Sequence, residues 1–379
     1  MRVEALKVKS TQNEVKQILE YMENTLESEI QWTNSVRVQE FENEVKTKYG
    51  VKNASAVATG SVALEASLIA LGVDSDSIVY CPVLTAPPTI LSSLSTGAKV
   101  VYVDALIDDF GMDPKDLEKK IQKYGTNGVI IPVHIGGLIS EQIYEILEIG
   151  KKYNMPVIED CAHAHGSELD NKPAGTFGDI GTFSYFLTKT LTSGEGGMIL
   201  TNNDDIDNKV RSIRNYGKNK TGQHVIKGSS WRMNEFTAAV ALVQTQSQES
   251  IVMTKNNIAK IYDNFFETSD LFKIYSMSGI NGYYKYILGI NKKTDLKKIE
   301  TLLNEKYGVQ LPARVYENLC TEEPYLETHS NVMNSKESFD NAVYLKNHHL
   351  CLPIYRGLNS EEIIYVCECV SKVVKEECT

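Results

Sequence analysis

Between about residues 55 and 205, short apolar runs alternate with segments that are apolar at i, i+3 and i+4. The runs at 77–81 (SIVYC), 99–105 (KVVYVDA), 127–135 (NGVIIPVHI), 155–160 (MPVIED), 180–186 (IGTFSYF) and 196–202 (GGMILTN) are rich in Val, Ile, Tyr and Phe, and predict strands. The segments at 61–72, 89–98, 114–125 and 141–154 carry the helical period. Strand and helix in strict alternation predict a three-layer α/β/α arrangement around a mostly parallel sheet. Gly72, Gly97 and Gly125 stand where a helix C-terminus favours glycine.

After residue 205 the texture changes. Residues 204–217 and 233–246 read as helices on either side of a polar loop, GKNKTGQHVIKGSS at 217–230. Further on, 283–291 reads as a strand, 294–308 as a helix and 360–375 as a closing amphipathic helix. This predicts a large domain over 1–254, including the N-terminal helices, and a smaller C-terminal α+β domain over 255–379.

Charge and composition narrow the partners. The 379 residues carry 39 Lys and Arg against 49 Asp and Glu, a net charge of -10, which argues against nucleic acid. No run of about eighteen apolar residues is present, and the first residues lack the apolar centre of a signal peptide, so the expectation is a cytoplasmic protein without a membrane partner. The seven cysteines are an odd number scattered through apolar runs, the pattern of reduced, buried thiols rather than a disulfide framework.

In an α/β sheet, ligands gather beyond the carboxyl ends of the strands, so the residues following each strand matter most. Thr59-Gly60-Ser61-Val62 opens a helix whose free N–H groups and dipole favour an anion, although Thr59 or Ser61 also suits a plain helix cap. At 157–166 (VIEDCAHAHG), Asp160 ends an apolar strand and needs a cation or donors to offset its burial. Cys161, His163 and His165 in that stretch invite a zinc reading. No further ligand at a recognisable spacing supports it, and no metal is expected. At 175–197, Lys189 follows an apolar strand and precedes a Gly-rich turn, where desolvation would free its amine for a Schiff base. No GxxxxGK[ST] pattern is present, so the glycines are not a nucleotide P-loop. A fourth segment, 228–235 (GSSWRMNE), runs from a loop into a helix.

Taken together and in this order, the four segments resemble the pyridoxal-phosphate-dependent sugar aminotransferases of the DegT/DnrJ/StrS group, which have the fold type I architecture of PLP-dependent transferases. The stretch from Val157 to Gly197 carries most of the resemblance. It implies that Lys189 holds pyridoxal 5'-phosphate and shuttles a proton, and that Asp160 pairs with the pyridine nitrogen. It further implies that His163 lies near the cofactor's phenolic oxygen, and that Gly60, Ser61, Val62 and Ser184 cradle its phosphate. Ser230 falls where the family commonly has an Asn that reaches the neighbouring subunit's phosphate, and Arg232 matches the family's arginine. Ala86 stands where relatives usually place an aromatic over the ring.

The resemblance implies a homodimer with sites at the interface. The expected reaction moves an amino group from glutamate or glutamine to a keto group on a nucleotide-linked sugar or a cyclitol, in the making of an amino sugar, surface polysaccharide or antibiotic. A cofactor-binding sensor of the same fold is the alternative. Arg211, Arg214, Lys218 and Lys220 are cations available to an anionic substrate, or simply a solvated loop face.

Overall fold

Apolar residues at successive positions of one strand go to opposite faces of a sheet, and a strand that is apolar at every position must be covered on both. The computed structural model describes residues 1–29 and 31–378, and its strands follow this rule. They are β1 (Asn53–Val57), β2 (Ile78–Pro82), β3 (Lys99–Val103), β4 (Gly128–Ile130), β5 (Ile158–Asp160), the two-residue pair β6 (Glu168–Leu169) and β7 (Lys172–Pro173), β8 (Ile180–Ser184), β9 (Gly197–Thr201), β10 (Phe272–Ile274), β11 (Tyr286–Ile290) and β12 (His349–Leu352). Val79, Cys81, Val100 and Tyr102 enter one hydrophobic core with Leu64, Leu68 and Ile90. Their neighbours Ile78, Tyr80, Val101 and Val103 enter another with Leu117, Ile121 and Ile146. The two cores are the two interfaces of a three-layer α/β/α sandwich.

The strand orders β1-β9-β8-β5 and β3-β2-β4 join through parallel bridges from Ile130 to Val157 and from Val133 to Asp160. The seven strands therefore run β1-β9-β8-β5-β4-β2-β3, and all are parallel except β9. β9 is reversed because residues 185–196 turn back without a crossover helix, and a parallel return needs one. That turn carries Lys189.

Helices Gly60–Ala70, Pro87–Leu94, Pro114–Tyr124 and Ile143–Tyr153 fill the intervals between the strands, as the periodicity predicts. Side chains close their N-termini: Thr59 accepts from the Val62 N–H, and Asp113 from the Lys115 N–H. Gly125 ends its helix at φ +122°, a conformation that L side chains rarely adopt.

The rest of the chain builds a second core. The antiparallel sheet β10-β11-β12 is covered by helices Leu296–Tyr307 and Ser360–Glu377 and by the later turns of helix Gln248–Phe266. That last helix runs unbroken through residues 254 and 255. Its Ile251 packs with Phe183 of the large sheet, and its Ile258, Tyr262 and Phe266 pack with Leu288 of the small one. The N-terminus crosses to this second core as well. Val3 is fully buried and bridges in parallel to Val309, and the carboxylate of Glu14 receives Arg356 at 2.8 Å.

All seven cysteines are free thiols and six are buried. Cys367 and Cys369 point to different sides of their helix, yet both are buried because the helix packs against two others. Among the described residues no helix is long and apolar enough to cross a membrane.

Candidate active site

The carboxyl edge of the sheet brings a carboxylate, an amine and a helix N-terminus together. β5 ends in adjacent acids that point in opposite directions. Glu159 turns into the protein, where it accepts the N–H groups of Gly175 at 2.9 Å and of Phe177 and Gly178 at 2.7 Å, and meets His134 Nε2 at 2.9 Å. Asp160 turns to the site. Its Oδ2 accepts the Thr89 hydroxyl at 2.9 Å and its Oδ1 the Ala162 N–H at 3.1 Å. Burial raises the Asp160 pKa even though these donors, Lys189 and His134 all favour the anion. The carboxylate has room for one more positive partner.

Lys189 sits, half-buried, in the turn after β8. Its pKa is lowered to about 8, chiefly by burial, with Asp160 opposing the shift and the like charge of Lys285 adding to it. Its Nζ lies 4.6 Å from the centre of the Tyr284 ring, and Tyr284 stacks on His163 with ring centres 4.0 Å apart. The Tyr284 hydroxyl is 3.3 Å from Thr188 Oγ1, which fastens the Lys189 turn to the segment before β11. His163 Nδ1 accepts the Gly136 N–H at 3.3 Å, which assigns the ring proton to Nε2. Burial, with Lys189 and Lys285 nearby, pushes the His163 pKa well below its ordinary value and keeps the ring neutral.

The helix that starts at Gly60 faces the same space. Thr59 Oγ1 occupies the Val62 N–H at 3.2 Å, while the N–H groups of Gly60 and Ser61 have no acceptor among the described residues. A Cβ on Gly60 would lie 2.6 Å from Ser184 Cβ, so the close approach of this helix to β8 depends on glycine.

Gly60, Ser61, Asp160, Ser184 and Lys189, with Thr89, line one cavity of about 370 Å³. Val62, His163 and Ser230 stand apart from it. Val62 has its N–H engaged by the helix cap, and His163 approaches Lys189 through Tyr284. Ser230 is exposed in the loop before helix Glu235–Gln246, where its hydroxyl accepts Arg232 Nη2 at 2.9 Å. Ala86 caps helix Pro87–Leu94 and lies on the cavity wall, and the Tyr316 hydroxyl meets its backbone.

Thr89 and Tyr284 were not among the residues the sequence pointed to. Thr89 offers one signal, a hydroxyl within an apolar helix start at the sheet's carboxyl edge. Tyr284 offers none, since it reaches the site from the segment before β11, far along the chain.

One sequence reading changes. Arg211 and Arg214 are not a solvated face. Both bind Glu42, at 2.9 Å and 2.6 Å, and Arg214 is only 3% exposed. Cys161, His163 and His165 do not converge on one point. His165 packs its ring 4.8 Å from that of Tyr185 with both nitrogens lacking hydrogen bonds, while His163 faces Tyr284. The ligand atoms of Cys161, His134 and Glu159 do come within 4.8 Å of one another, but the Glu159 oxygens are already taken by three N–H groups and His134.

The sequence signature of the DegT/DnrJ/EryC1/StrS aminotransferase family matches residues 12–371. The GDP-perosamine synthase of Escherichia coli O157:H7 is 30% identical over 361 residues, 94% of this chain and 96% of the relative. A UDP-4-amino-4,6-dideoxy-N-acetyl-beta-L-altrosamine transaminase of Campylobacter jejuni (serotype O:23/36) is 30% identical over 291 residues, 74% of this chain and 76% of the relative. Among solved structures, NtdA of Bacillus subtilis with bound cofactor PMP superposes with a TM-score of 0.89 at 24% identity, covering 99% of this chain and 85% of that one.

Proposed function

The chain belongs to the DegT/DnrJ/EryC1/StrS aminotransferase family, enzymes that depend on pyridoxal phosphate, and from that premise we propose that it moves an amino group from glutamate or glutamine to the keto group of a nucleotide-linked sugar. The observation that carries this reading is the amine of Lys189 in one cavity with the Asp160 carboxylate and the open N–H groups of Gly60 and Ser61. Relatives named for GDP- and UDP-linked sugars favour a nucleotide-linked acceptor over a free cyclitol.

The residues present fit pyridoxal phosphate. An amine that sheds its proton near pH 8 suits an aldehyde, an under-compensated buried carboxylate suits a protonated ring nitrogen, and a helix N-terminus with the Ser61 and Ser184 hydroxyls suits a phosphate. When bound, the cofactor supplies an electron sink for the charge that develops as a substrate C–H bond breaks.

The chain's own residues do the remainder. Asp160 holds a proton on the ring nitrogen, and Thr89 and the Ala162 N–H fix the carboxylate's direction. His163, kept neutral and with its tautomer set by the Gly136 N–H, backs the Tyr284 ring that faces Lys189. Lys189 Nζ would take the proton from the donor's α-carbon and carry it to the cofactor's C4′ carbon, while Tyr284 shields the amine from water on one side. The assembly is a homodimer in which Ser230 serves the neighbouring subunit's phosphate. Phe186 and Leu187, both exposed beside Lys189, are the apolar surface such a partner would cover. The reading also includes a cytoplasmic location and a division into domains at 254/255.

The visible absorption of purified protein, before and after glutamate or glutamine, tests the proposal beside a Lys189→Ala variant. A visible band that bleaches with donor in the wild type and is missing from the variant is the expected result. A cofactor-loaded wild type whose spectrum ignores both donors overturns it.

A further inference from the structure

Lys189 lines two cavities that share no other residue. The first contains Asp160, Gly60 and Ser61. The second, about 320 Å³, is enclosed by residues 6–10, the turn 187–194, helices Glu235–Gln246 and Gln248–Phe266, and residues 354–356. Its charged lining is Lys7, Lys9, Lys189, Lys255 and Arg356, without a single Asp or Glu, in a chain whose net charge is -10.

Of these five cations, Arg356 is paired with Glu14 and Lys189 is attracted by Asp160, while Lys7, Lys9 and Lys255 have no ion-pair partner among the described residues. Lys255 is 7% exposed, and its Nζ has only neutral acceptors, the Tyr283 carbonyl at 2.8 Å and Thr190 Oγ1 at 3.2 Å. Burial lowers its pKa to about 7. Gln244, 8% exposed, turns an amide without a hydrogen-bond partner among the described residues to the same space.

Like charges gathered in a partly desolvated hollow repel one another, and an anion placed among them relieves that repulsion and keeps Lys255 charged. The cofactor's phosphate is not that anion, because the cavity at Gly60 and Ser61 provides for it. An amino-acid donor is a poor match, since its ammonium group would be repelled together with the attraction of its carboxylates. A diphosphate carries negative charge alone, and a cavity above about 300 Å³ has the volume of a small-ligand site.

We infer that this cavity binds the diphosphate of the nucleotide-linked acceptor, held by Lys7, Lys9, Lys255 and Gln244, so that the keto sugar extends to Lys189. The inference rests on the reaction proposed above and adds the residues that would select its substrate.

Calorimetric titration of the cofactor-loaded enzyme with uridine 5'-diphosphate, inorganic pyrophosphate and glutamate tests it. The variants are Lys255→Met and the surface pair Lys7→Gln/Lys9→Gln, with circular dichroism as the check on folding. If Lys255→Met does not fold, the surface pair carries the test alone. Each charge-assisted hydrogen bond lost predicts a roughly tenfold or greater weakening of both phosphate probes, larger than any change in the glutamate needed to bleach the visible band. Diphosphate affinity that is unaltered in the folded variants overturns the inference, and so does a loss confined to glutamate. A wild type that binds uridine 5'-diphosphate through these lysines but ignores glutamate supports the anion site and overturns the reaction instead.

Discussion

The hydroxyl of Thr89 reaches Oδ2 of Asp160 at 2.9 Å, tying the first turn of helix Pro87–Leu94 to the end of β5. The bond orients the carboxylate and favours its charged form. Asp160→Asn should cut the rate at which glutamate bleaches the cofactor by about 10²–10⁴-fold, the range lost with a proton-holding group. Thr89→Val should cost about tenfold, one hydrogen bond to a charged group. Stopped-flow absorbance measures both, and a Thr89→Val loss as large as that of Asp160→Asn would contradict the ranking.

Lys189 sets a pH dependence. Only the neutral amine attacks an aldehyde, and burial puts its midpoint near 8, against an ordinary 10.5. Attachment of added cofactor to cofactor-free protein should therefore speed up as pH rises through about 8 and level off above it. Lys285→Met removes a like charge that lowers the Lys189 pKa, so the midpoint should move upward. A downward shift in the variant would remove Lys285 from this role.

The cradle at Gly60 leaves no space for a methyl group. Gly60→Ala sets a Cβ 2.6 Å from Ser184 Cβ and forces the helix start away from β8. Overpacking of this kind costs about 1–3 kcal/mol of stability. The displaced N–H groups should also weaken cofactor binding by more than tenfold, as read from fluorescence titration.

Glu159 is a structural acid beside a chemical one. Glu159→Gln replaces one acceptor oxygen with an N–H₂ group that faces other donors, from Gly175, Phe177, Gly178 or His134. The expected loss is about 3–5 kcal/mol, the scale for breaking a buried charged network, measured by urea unfolding. Unchanged stability would mean that the 175–178 loop is held by other contacts.

Much of this site could be read in the sequence because its chemistry lies at strand ends, within a few residues of each strand. Asp160, Lys189, Gly60, Ser61 and Ser184 meet because parallel strands present their carboxyl ends on one edge. Contacts set by distant packing left no local trace. Arg214 finds Glu42 across 172 residues of chain, and Lys255 and Tyr284 reach the Lys189 turn from beyond the large sheet. The cap at Thr59 shows the limit in miniature. The sequence offered it as one of two readings, and the Val62 N–H can serve only one acceptor well. The reversed β9 was hidden for the same reason, since apolar runs carry no arrow.

Val3 lies beside Val309, and Glu14 holds Arg356. Glu14 and Arg356 are thus joined across 342 positions of the chain. The lysine-bearing stretch at 6–10 and residues 354–356 wall the same cavity, so that wall is complete only when both segments are in place. The second cavity therefore depends on a distant segment that the first does not use, and a chain cut before residue 354 would keep Asp160 and Lys189 while lacking that cavity's far wall.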